Sequence, residues 1–383
     1  MAQYAENDIF IRGTGLYTPP ESISNEELVA SFNTFVDSYN ATHHEAIEAG
    51  RREPLQHSSV AFIEKASGIK SRYVMEKAGI LDVNRMCPRI PDRPDSEPSL
   101  QCDMSVAAIN AALAQANKTP ADVDAVIASC ANFQRAYPAM AIEIQTALGI
   151  EGFAFDMSVA CSAATFAIQS AVDAVKSGSA NCVVMVNPEI NTGHLNFRDR
   201  DSHFIFGDVC TAMVIENAAT CQAPSAFRIL GTKLFTRFSS NVRNNFGFLN
   251  RADESGIGKP DKLFKQNGTK VFKEVIPIAA GLIKSHLEEL DIPVDAAKRL
   301  WLHQANINMN NYVAEKVLGH RPTLAEAPLV LDEFGNTASA GSIIAFHKYN
   351  QDLGKGDIGV ICSFGAGYSA GSVIVQKVLP LSQ

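Results

Sequence analysis

Residues 182–190, CVVMVNPEI, followed by residues 211–218, TAMVIENA, decide the fold, because residues 358–367, IGVICSFGAG, followed by residues 371–379, GSVIVQKVL, repeat that order late in the chain. All four are short apolar runs rich in β-branched residues, the composition of strands buried on both faces. A second echo sits upstream of each pair: AVIASCANF (125–133) and LWLHQANIN (300–308) are each a strand-like run leading into a helical pattern. Further strands are expected at IFIRGTG (9–15), FAFDMSV (153–159) and FRILGTKL (227–234). Helical patterns cover Asn25–Asp37, Asp103–Ala116, Met140–Leu148, Cys161–Ser177, Val271–Leu290, Asn308–Leu318 and Ala338–Asp352. This alternation predicts an α/β fold built from two similar halves, residues 1–220 and 221–383, with a seam near Ala218 to Ser225. Residues Ser38 to Pro98, with the proline-rich CPRIPDRPDSEP (87–98), read as insertions and loops.

The totals exclude several classes. At 383 residues the chain can bury a large core, and 46% hydrophobic with 19% charged residues is the balance of a globular protein. A formal net charge of −8 argues against broad nucleic-acid binding, which needs clustered cations for phosphates. MAQYAENDIF lacks the basic and apolar regions of a secretory signal, and the most apolar window, Phe153–Val172, holds Asp156 and Gln169 and so reads as buried protein. A cytoplasmic location is expected. The eight cysteines are scattered with no C-x-x-C pair, so neither a zinc site nor a disulfide framework is implied.

One cysteine stands apart. Cys161, in FDMSVACSAATFAIQSA (155–171), lies where a strand gives way to a helix that is apolar on nearly every face, with Gly178 as its stop. A thiol in a first helical turn meets unpaired backbone N–H groups and the positive end of the helix dipole, which favour the thiolate. His303 ends an apolar strand, where a polar side chain points to a site at the sheet's carboxyl edge, and Asn306 follows it. Asn336, after Gly335, opens a helix of small residues. Together these supply a nucleophile and hydrogen-bonding side chains near element ends. Three other motifs are set aside. GYSAG (367–371) matches a serine nucleophile elbow but leads into a strand, with no histidine after it. GTGLYT (13–18) has Thr18 where a dinucleotide loop needs glycine, and reads as a turn; HHE (43–45) lacks metal spacing and reads as exposed helix.

SVACSAATFAIQSA (158–171), FIFGD (204–208), LHQAN (302–306), FGNTASA (334–340) and SFGAGYSAGSVIV (363–375), in this order, resemble the 3-oxoacyl-[acyl-carrier-protein] synthase III family of condensing enzymes. The resemblance covers most of the chain and implies a thiolase-like fold: duplicated α/β halves in an α-β-α-β-α layering, forming a homodimer. It implies an acyltransferase of fatty acid biosynthesis that joins an acyl-CoA primer to malonyl acyl carrier protein with loss of carbon dioxide, using no metal or cofactor. GLYTPPESISNEELVASFN (15–33) and the long Ser38–Pro98 region resemble the branch that extends octanoyl-CoA to 3-oxodecanoyl carrier protein.

By the same resemblance Cys161 carries the acyl thioester, and His303 and Asn336 stabilise the enolate left by decarboxylation. The backbone N–H groups of Cys161 and Ala366 form the oxyanion hole; the family usually has glycine at the latter position. Phe62 and Arg200 meet CoA, Phe206 and Tyr137 bound the acyl pocket, Tyr137 across the dimer interface, and Lys270 and Lys273 dock the carrier protein, with Asn308 where a basic residue is usual. Acetyl-CoA priming, a secondary-metabolite condensing enzyme and a non-catalytic acyl-binding partner are the other readings. A 3-hydroxy-3-methylglutaryl-CoA synthase would need an acidic base, and none is evident beside Cys161 or His303.

Overall fold

The computed structural model describes residues 5, 7–221, 226–256 and 259–378. Its strands are β1 (Ile9–Tyr17), β2 (Glu21–Ser24), β3 (Ser71–Val74), β4 (Ala125–Ser129), β5 (Phe153–Met157), β6 (Cys182–Glu189), β7 (Val209–Asn217), β8 (Ala226–Ser239), β9 (Val242–Asn244), β10 (Phe264–Gln266), β11 (Ala297–Leu302), β12 (Ile358–Gly365) and β13 (Gly367–Val378). Nine of them form one mixed sheet in the order β11-β12-β13-β8-β1-β7-β6-β4-β5.

The echo between the two sequence pairs is a repeat of topology. β1 pairs antiparallel with β7, β7 antiparallel with β6, and β6 parallel with β4. In the second half β8 pairs antiparallel with β13, β13 antiparallel with β12, and β12 parallel with β11. Among the described residues the two sets join where Phe10 faces Arg228 and Ile11 faces Phe227. Of the expected seam, residues 222–225 lie outside the described residues.

Helices Ala163–Lys176 and Ala340–Lys348 pack in one core with residues of β1, β4, β6, β7, β12 and β13, and so form the layer between the two strand sets. Helices Leu100–Ala116 and Met140–Leu148 cover the outer face of the first set, and helices Gly268–Glu289 and Ile307–Leu318 that of the second. Burying both faces of each strand set is what the unbroken apolar runs require. Among the described residues no helix is long and apolar enough to cross a membrane.

Three expectations change. GTGLYT is not a turn: residues Gly13 to Tyr17 belong to β1, and Thr18 follows its end. A Cβ on Gly13 would lie 2.1 Å from the Ala112 carbonyl oxygen and one on Gly15 1.9 Å from that of Ala108, so the glycines let helix Leu100–Ala116 lie directly on the strand. Ser38–Pro98 is not only loop: it holds helices His44–Glu48, Val60–Ser67 and Lys77–Leu81 and strand β3. These form a separate core in which Ile63, Ile69, Val74 and Ile80 pack with Phe204, Ile205 and Phe206. Its centre is Arg72, fully buried, which donates to the carbonyls of Ile23 (3.1 Å) and Phe204 (3.0 Å) and to Asn25 Oδ1 (2.9 Å). Burial lowers its pKa to about 9. Finally, Phe153 and Phe155 are exposed, on the edge strand of the sheet.

Candidate active site

Cys161 lies in a single 3-10 turn, Ala160–Ser162, between β5 and helix Ala163–Lys176. The residue before it, Ala160, takes a left-handed φ of 46°, a strained conformation for a residue with a Cβ. That sharp bend turns the chain from strand into helix and lifts the thiol out of the core; Cys161 is partly accessible, whereas Ser162, Ala163 and Ala164 are buried. Behind it stands Gly365, where a Cβ would lie 2.5 Å from the Cβ of Cys161, so only glycine admits the cysteine here. The next residue, Ala366, directs its N–H at the Cys161 sulfur, as does the N–H of Cys161 itself. Among the described residues Ala366 does not take a positive φ; Gly367 does, at 126°. Alanine is therefore accommodated in this turn, which does not ask of it the positive φ that would favour glycine.

His303 follows β11, its backbone N–H donating to the Cys362 carbonyl of β12 at 2.7 Å, and its ring meets Phe364 edge-on at 5.2 Å. Asn336 follows helix Leu331–Phe334. Its N–H donates to the Ile205 carbonyl (2.9 Å) while its carbonyl accepts from Gly207 (3.1 Å), which ties the turn to the segment carrying Phe206. The Asn336 Oδ1 accepts from Ala338 N–H at 2.9 Å, leaving the amide NH₂ as the group presented to the site.

Cys161, His303, Asn336, Phe206 and Ala366 line one cavity of about 220 Å³. Phe204, Phe264, Val271, Val275, Met309 and Phe364 make most of its remaining wall apolar. Residues from three distant segments thus converge on one thiol.

The electrostatics run against the expected thiolate. Burial, and then the charge of Glu189, push the Cys161 thiol up to about 12, opposed by the two backbone N–H groups. Water reaching the thiol through the cavity relieves part of the burial effect, and the helix end works in the same relieving direction, but the resting group is a thiol. His303 is held neutral, its pKa lowered to about 4 by burial, although the Ala338 carbonyl favours its charged form; Nδ1 has no hydrogen-bond partner among the described residues. A neutral imidazole can take the thiol's proton, and in its neutral form it also has one N–H to donate.

Glu189 was not foreseen. It ends β6 and is fully buried, accepting from Ala131 N–H (3.2 and 3.1 Å), from Ser339 N–H (3.1 Å) and from the Ser339 hydroxyl. Burial raises its pKa to about 7. Its charge reaches the Cys161 thiol, although Glu189 does not line the cavity. The strand-end rule that picked out His303 in LWLHQ applies equally to Glu189 in VNPEI.

The remaining expected residues are placed as follows. The Arg200 guanidinium lies 4.0 Å from the centre of the Phe62 ring, and its Nε donates to the His57 carbonyl at 2.8 Å; Asp201 and Phe204, just after it, line the cavity. Tyr137 is 86% exposed and does not line this chain's cavity. Lys270 and Lys273 are exposed in the first turns of helix Gly268–Glu289, and Asn308 is exposed at the start of helix Ile307–Leu318.

Comparison with known proteins resolves what family this cavity belongs to. Residues 155–237 match the 3-oxoacyl-[acyl-carrier-protein] synthase III model and residues 287–377 the model of its C-terminal part, together containing every residue of the Cys161, His303 and Asn336 set. A beta-ketodecanoyl-[acyl-carrier-protein] synthase of Pseudomonas aeruginosa is 59% identical over 347 residues, 91% of this chain and 99% of that protein. The chain belongs to the 3-oxoacyl-[acyl-carrier-protein] synthase III family. It is a condensing acyltransferase of fatty acid biosynthesis. Synthase III of Pseudomonas aeruginosa PAO1 superposes with a TM-score of 0.75 at 21% identity, over 98% of this chain and all of that one, and the priming beta-ketosynthase of the R1128 polyketide pathway with 0.76 at 22% identity, over 99% of both. These two likenesses establish the shared thiolase-like fold of the synthase III family.

Proposed function

We propose that this synthase III extends a medium-chain acyl-CoA, octanoyl-CoA first among candidates, with malonyl carrier protein to give a 3-oxoacyl carrier protein. The observation that carries the reading is the convergence of Cys161, His303 and Asn336 with two sulfur-directed amides in one largely apolar cavity. The chain length rests on the 59% identity to a protein named for a ten-carbon product, two carbons longer than its primer.

In the first half-reaction Cys161 Sγ attacks the acyl-CoA carbonyl carbon, its proton passing by way of His303 to the departing CoA sulfur. The N–H groups of Cys161 and Ala366 receive the charge on the tetrahedral oxygen. In the second, the bond from the malonyl methylene to its carboxylate breaks, carbon dioxide leaves, and the enolate oxygen is held by the His303 N–H and the Asn336 amide. The enolate carbon attacks the acyl-Cys161 carbonyl, and the carbon–sulfur bond breaks to return the thiolate. Phe206 and the surrounding apolar side chains hold the chain, and Phe62 with Arg200 the nucleotide.

We take the active form to be a homodimer of chains each made of halves 1–220 and 221–383. β5 is an unpaired sheet edge whose Phe153 and Phe155 are exposed beside Ile142 and Tyr137, and an edge of this kind needs a cover. In this reading a second copy covers that edge and the exposed Tyr137 bounds its partner's pocket. Mass analysis of protein mixed with acetyl-, butyryl-, octanoyl- and decanoyl-CoA tests the function: octanoyl should dominate the adduct on Cys161, and Cys161→Ser should remove it. Dominance of acetyl would restore the acetyl-primed reading, and an unmodified Cys161 would overturn the mechanism.

A further inference from the structure

A second cavity, of about 190 Å³, shares no residue with the one around Cys161. Its wall comes from β1, β8, β13 and the end of helix Ala340–Lys348. Ile11 faces Phe227 between β1 and β8, and Phe227 faces Lys377 between β8 and β13, so these three side chains form a cross-strand row on one face of the sheet. Phe346 adds to the apolar side, its ring 5.0 Å from that of Phe227. Thr14, Gln115, Asn350 and Gln351 supply polar groups. Gln115 Oε1 accepts from the Thr14 N–H and, at 3.1 Å, from its hydroxyl, which leaves the Gln115 amide NH₂ to donate. The helix that ends at this wall begins just after the turn of Asn336, so the two cavities lie at opposite ends of it.

Lys377 is the unmatched charge of this cavity. It is 4% exposed, so its head is not carried out to bulk water as that of a surface lysine is. The ammonium lies 4.4 Å from the centre of the Phe227 ring and forms no ion pair among the described residues. Burial lowers its pKa, against the influence of Asp352, whose carboxylate is held by Arg299 at 2.7 and 2.8 Å. The other cation of the wall is already answered. Arg12 pairs with Glu216 at 3.2 Å and donates to the Ala116 carbonyl at 3.3 Å and to Cys221 Sγ at 2.6 Å. A buried ammonium without an anion costs stability, and a ligand bearing negative charge would recover it.

We propose that this cavity binds a small monocarboxylate, with its carboxylate on the Lys377 ammonium and its short apolar body on the rings of Phe227 and Phe346. One uncompensated cation calls for one negative charge. A phosphate dianion would bring a second charge toward Asp352, the carboxylate that Lys377 already feels. The cavity is smaller than the roughly 300–1,000 Å³ of clefts that take drug-sized ligands, which excludes an acyl-CoA and admits a few carbon atoms. The rings that would hold the apolar body also meet Trp301 edge-on, at 6.0 and 4.8 Å between centres, so the single tryptophan of the chain reports occupancy.

Butyrate is the probe, titrated at constant ionic strength against butyramide and inorganic phosphate, with Trp301 fluorescence and the thermal unfolding midpoint as readouts. Butyrate should change the emission saturably and raise the midpoint. Butyramide, alike in shape but neutral, and phosphate should bind more than about tenfold more weakly. Lys377→Met keeps a chain that packs on Phe227 and should weaken butyrate by more than about tenfold. Gln351→Glu, at an exposed position of the wall where the fold is not at risk, adds a repelling charge and should weaken it about threefold. If Lys377→Met does not fold, the Gln351→Glu and butyramide comparisons still decide. A wild type without a saturable response overturns the proposal. So does equal binding of butyramide, which would make the cavity merely apolar, or tighter binding of phosphate, which would make it a general anion site. Butyrate binding untouched by both substitutions would place the ligand elsewhere and overturn it too.

Discussion

The Glu189 carboxylate accepts from the Ser339 backbone N–H at 3.1 Å and also from the Ser339 hydroxyl, joining the end of β6 to the turn that carries Asn336. Ala338, inside that turn, takes a left-handed φ of 47° and aims its carbonyl at His303. One buried acid thus fixes the turn that carries Asn336 and meets His303, and its charged form adds to the effect of burial on Cys161. Glu189→Gln cannot accept all the amide hydrogen bonds now made, yet it removes the charge. Two readouts should then move in opposite directions: condensation slows by roughly ten- to a hundredfold through misplacement of Asn336, while iodoacetamide alkylates Cys161 faster at a fixed pH because the thiol pKa falls. Unchanged alkylation would show that the anion does not act on the thiol.

Gly365 is the packing condition for Cys161, the proposed nucleophile. A Cβ there would meet the Cys161 Cβ at 2.5 Å, a separation that forces one backbone to move. Gly365→Ala should lose acylation by about a hundredfold and destabilise the fold by about 1–3 kcal/mol. Ala366→Gly, by contrast, should leave both nearly unchanged, since Ala366 has no positive φ to relieve. Stopped acylation assays and thermal unfolding of the two variants distinguish these outcomes; equal effects would contradict the geometry.

Four histidines with depressed pKa values govern the acid side of the stability profile. His194, His203, His286 and His303 are each lowered to about 4, burial being the first cause in every case. A depressed pKa contributes stability that is present above the unfolded value near 6.5 and is lost as pH falls toward the folded one. Glu189 and Asp208, raised to about 7 and about 6 by burial, act oppositely: they cost stability as pH rises through those values and regain it on acidification. The histidines outnumber them, so unfolding free energy should fall by a few kcal/mol between pH 7 and pH 5. Denaturant titrations at the two pH values check this, and a flat or rising profile would show that the histidines are protonated in the folded chain.

Much of this was legible in the chain itself, for a physical reason. Strands buried on both faces must be continuously apolar, so CVVMVNPEI and IGVICSFGAG announced themselves and their repetition exposed the duplicated topology. His303 could be read because a polar group at the end of an apolar strand is conspicuous. What stayed hidden depends on proximity across the fold. Nothing local to Gly365 says that Cys161 will occupy its missing side chain, and the exposure of Phe155 depends on β5 being the last strand of the sheet. The thiolate expectation failed because a helix end is visible in sequence, while the burial of the thiol, and after it the approach of a carboxylate 28 positions downstream, arise only in the fold. Ser38–Pro98 looked like loop because its helices are short, and they persist by packing on Arg72 and the Phe204–Phe206 segment.

The contact between Arg200 and Phe62 yields the last prediction. With the guanidinium 4.0 Å from the ring centre, each side chain covers the face that a flat base would occupy. Such a pair is worth only about 0.5–1 kcal/mol at an exposed site, so an adenine can part it at little cost and gain stacking on both sides. Arg200 is anchored meanwhile by its bond to the His57 carbonyl, so the ring is the member free to yield. Phe62→Ala should therefore raise the KM for octanoyl-CoA by about tenfold with kcat nearly constant, because nucleotide contacts far from the reacting carbon are the same in ground and transition states. Phe62→Trp, with the larger ring, should lower it. An octanoyl-pantetheine surrogate lacking the nucleotide should react equally with all three proteins. If the alanine variant slowed the surrogate as much as octanoyl-CoA, the ring would be supporting the wall at Phe204, which it meets edge-on at 5.8 Å, and not the nucleotide.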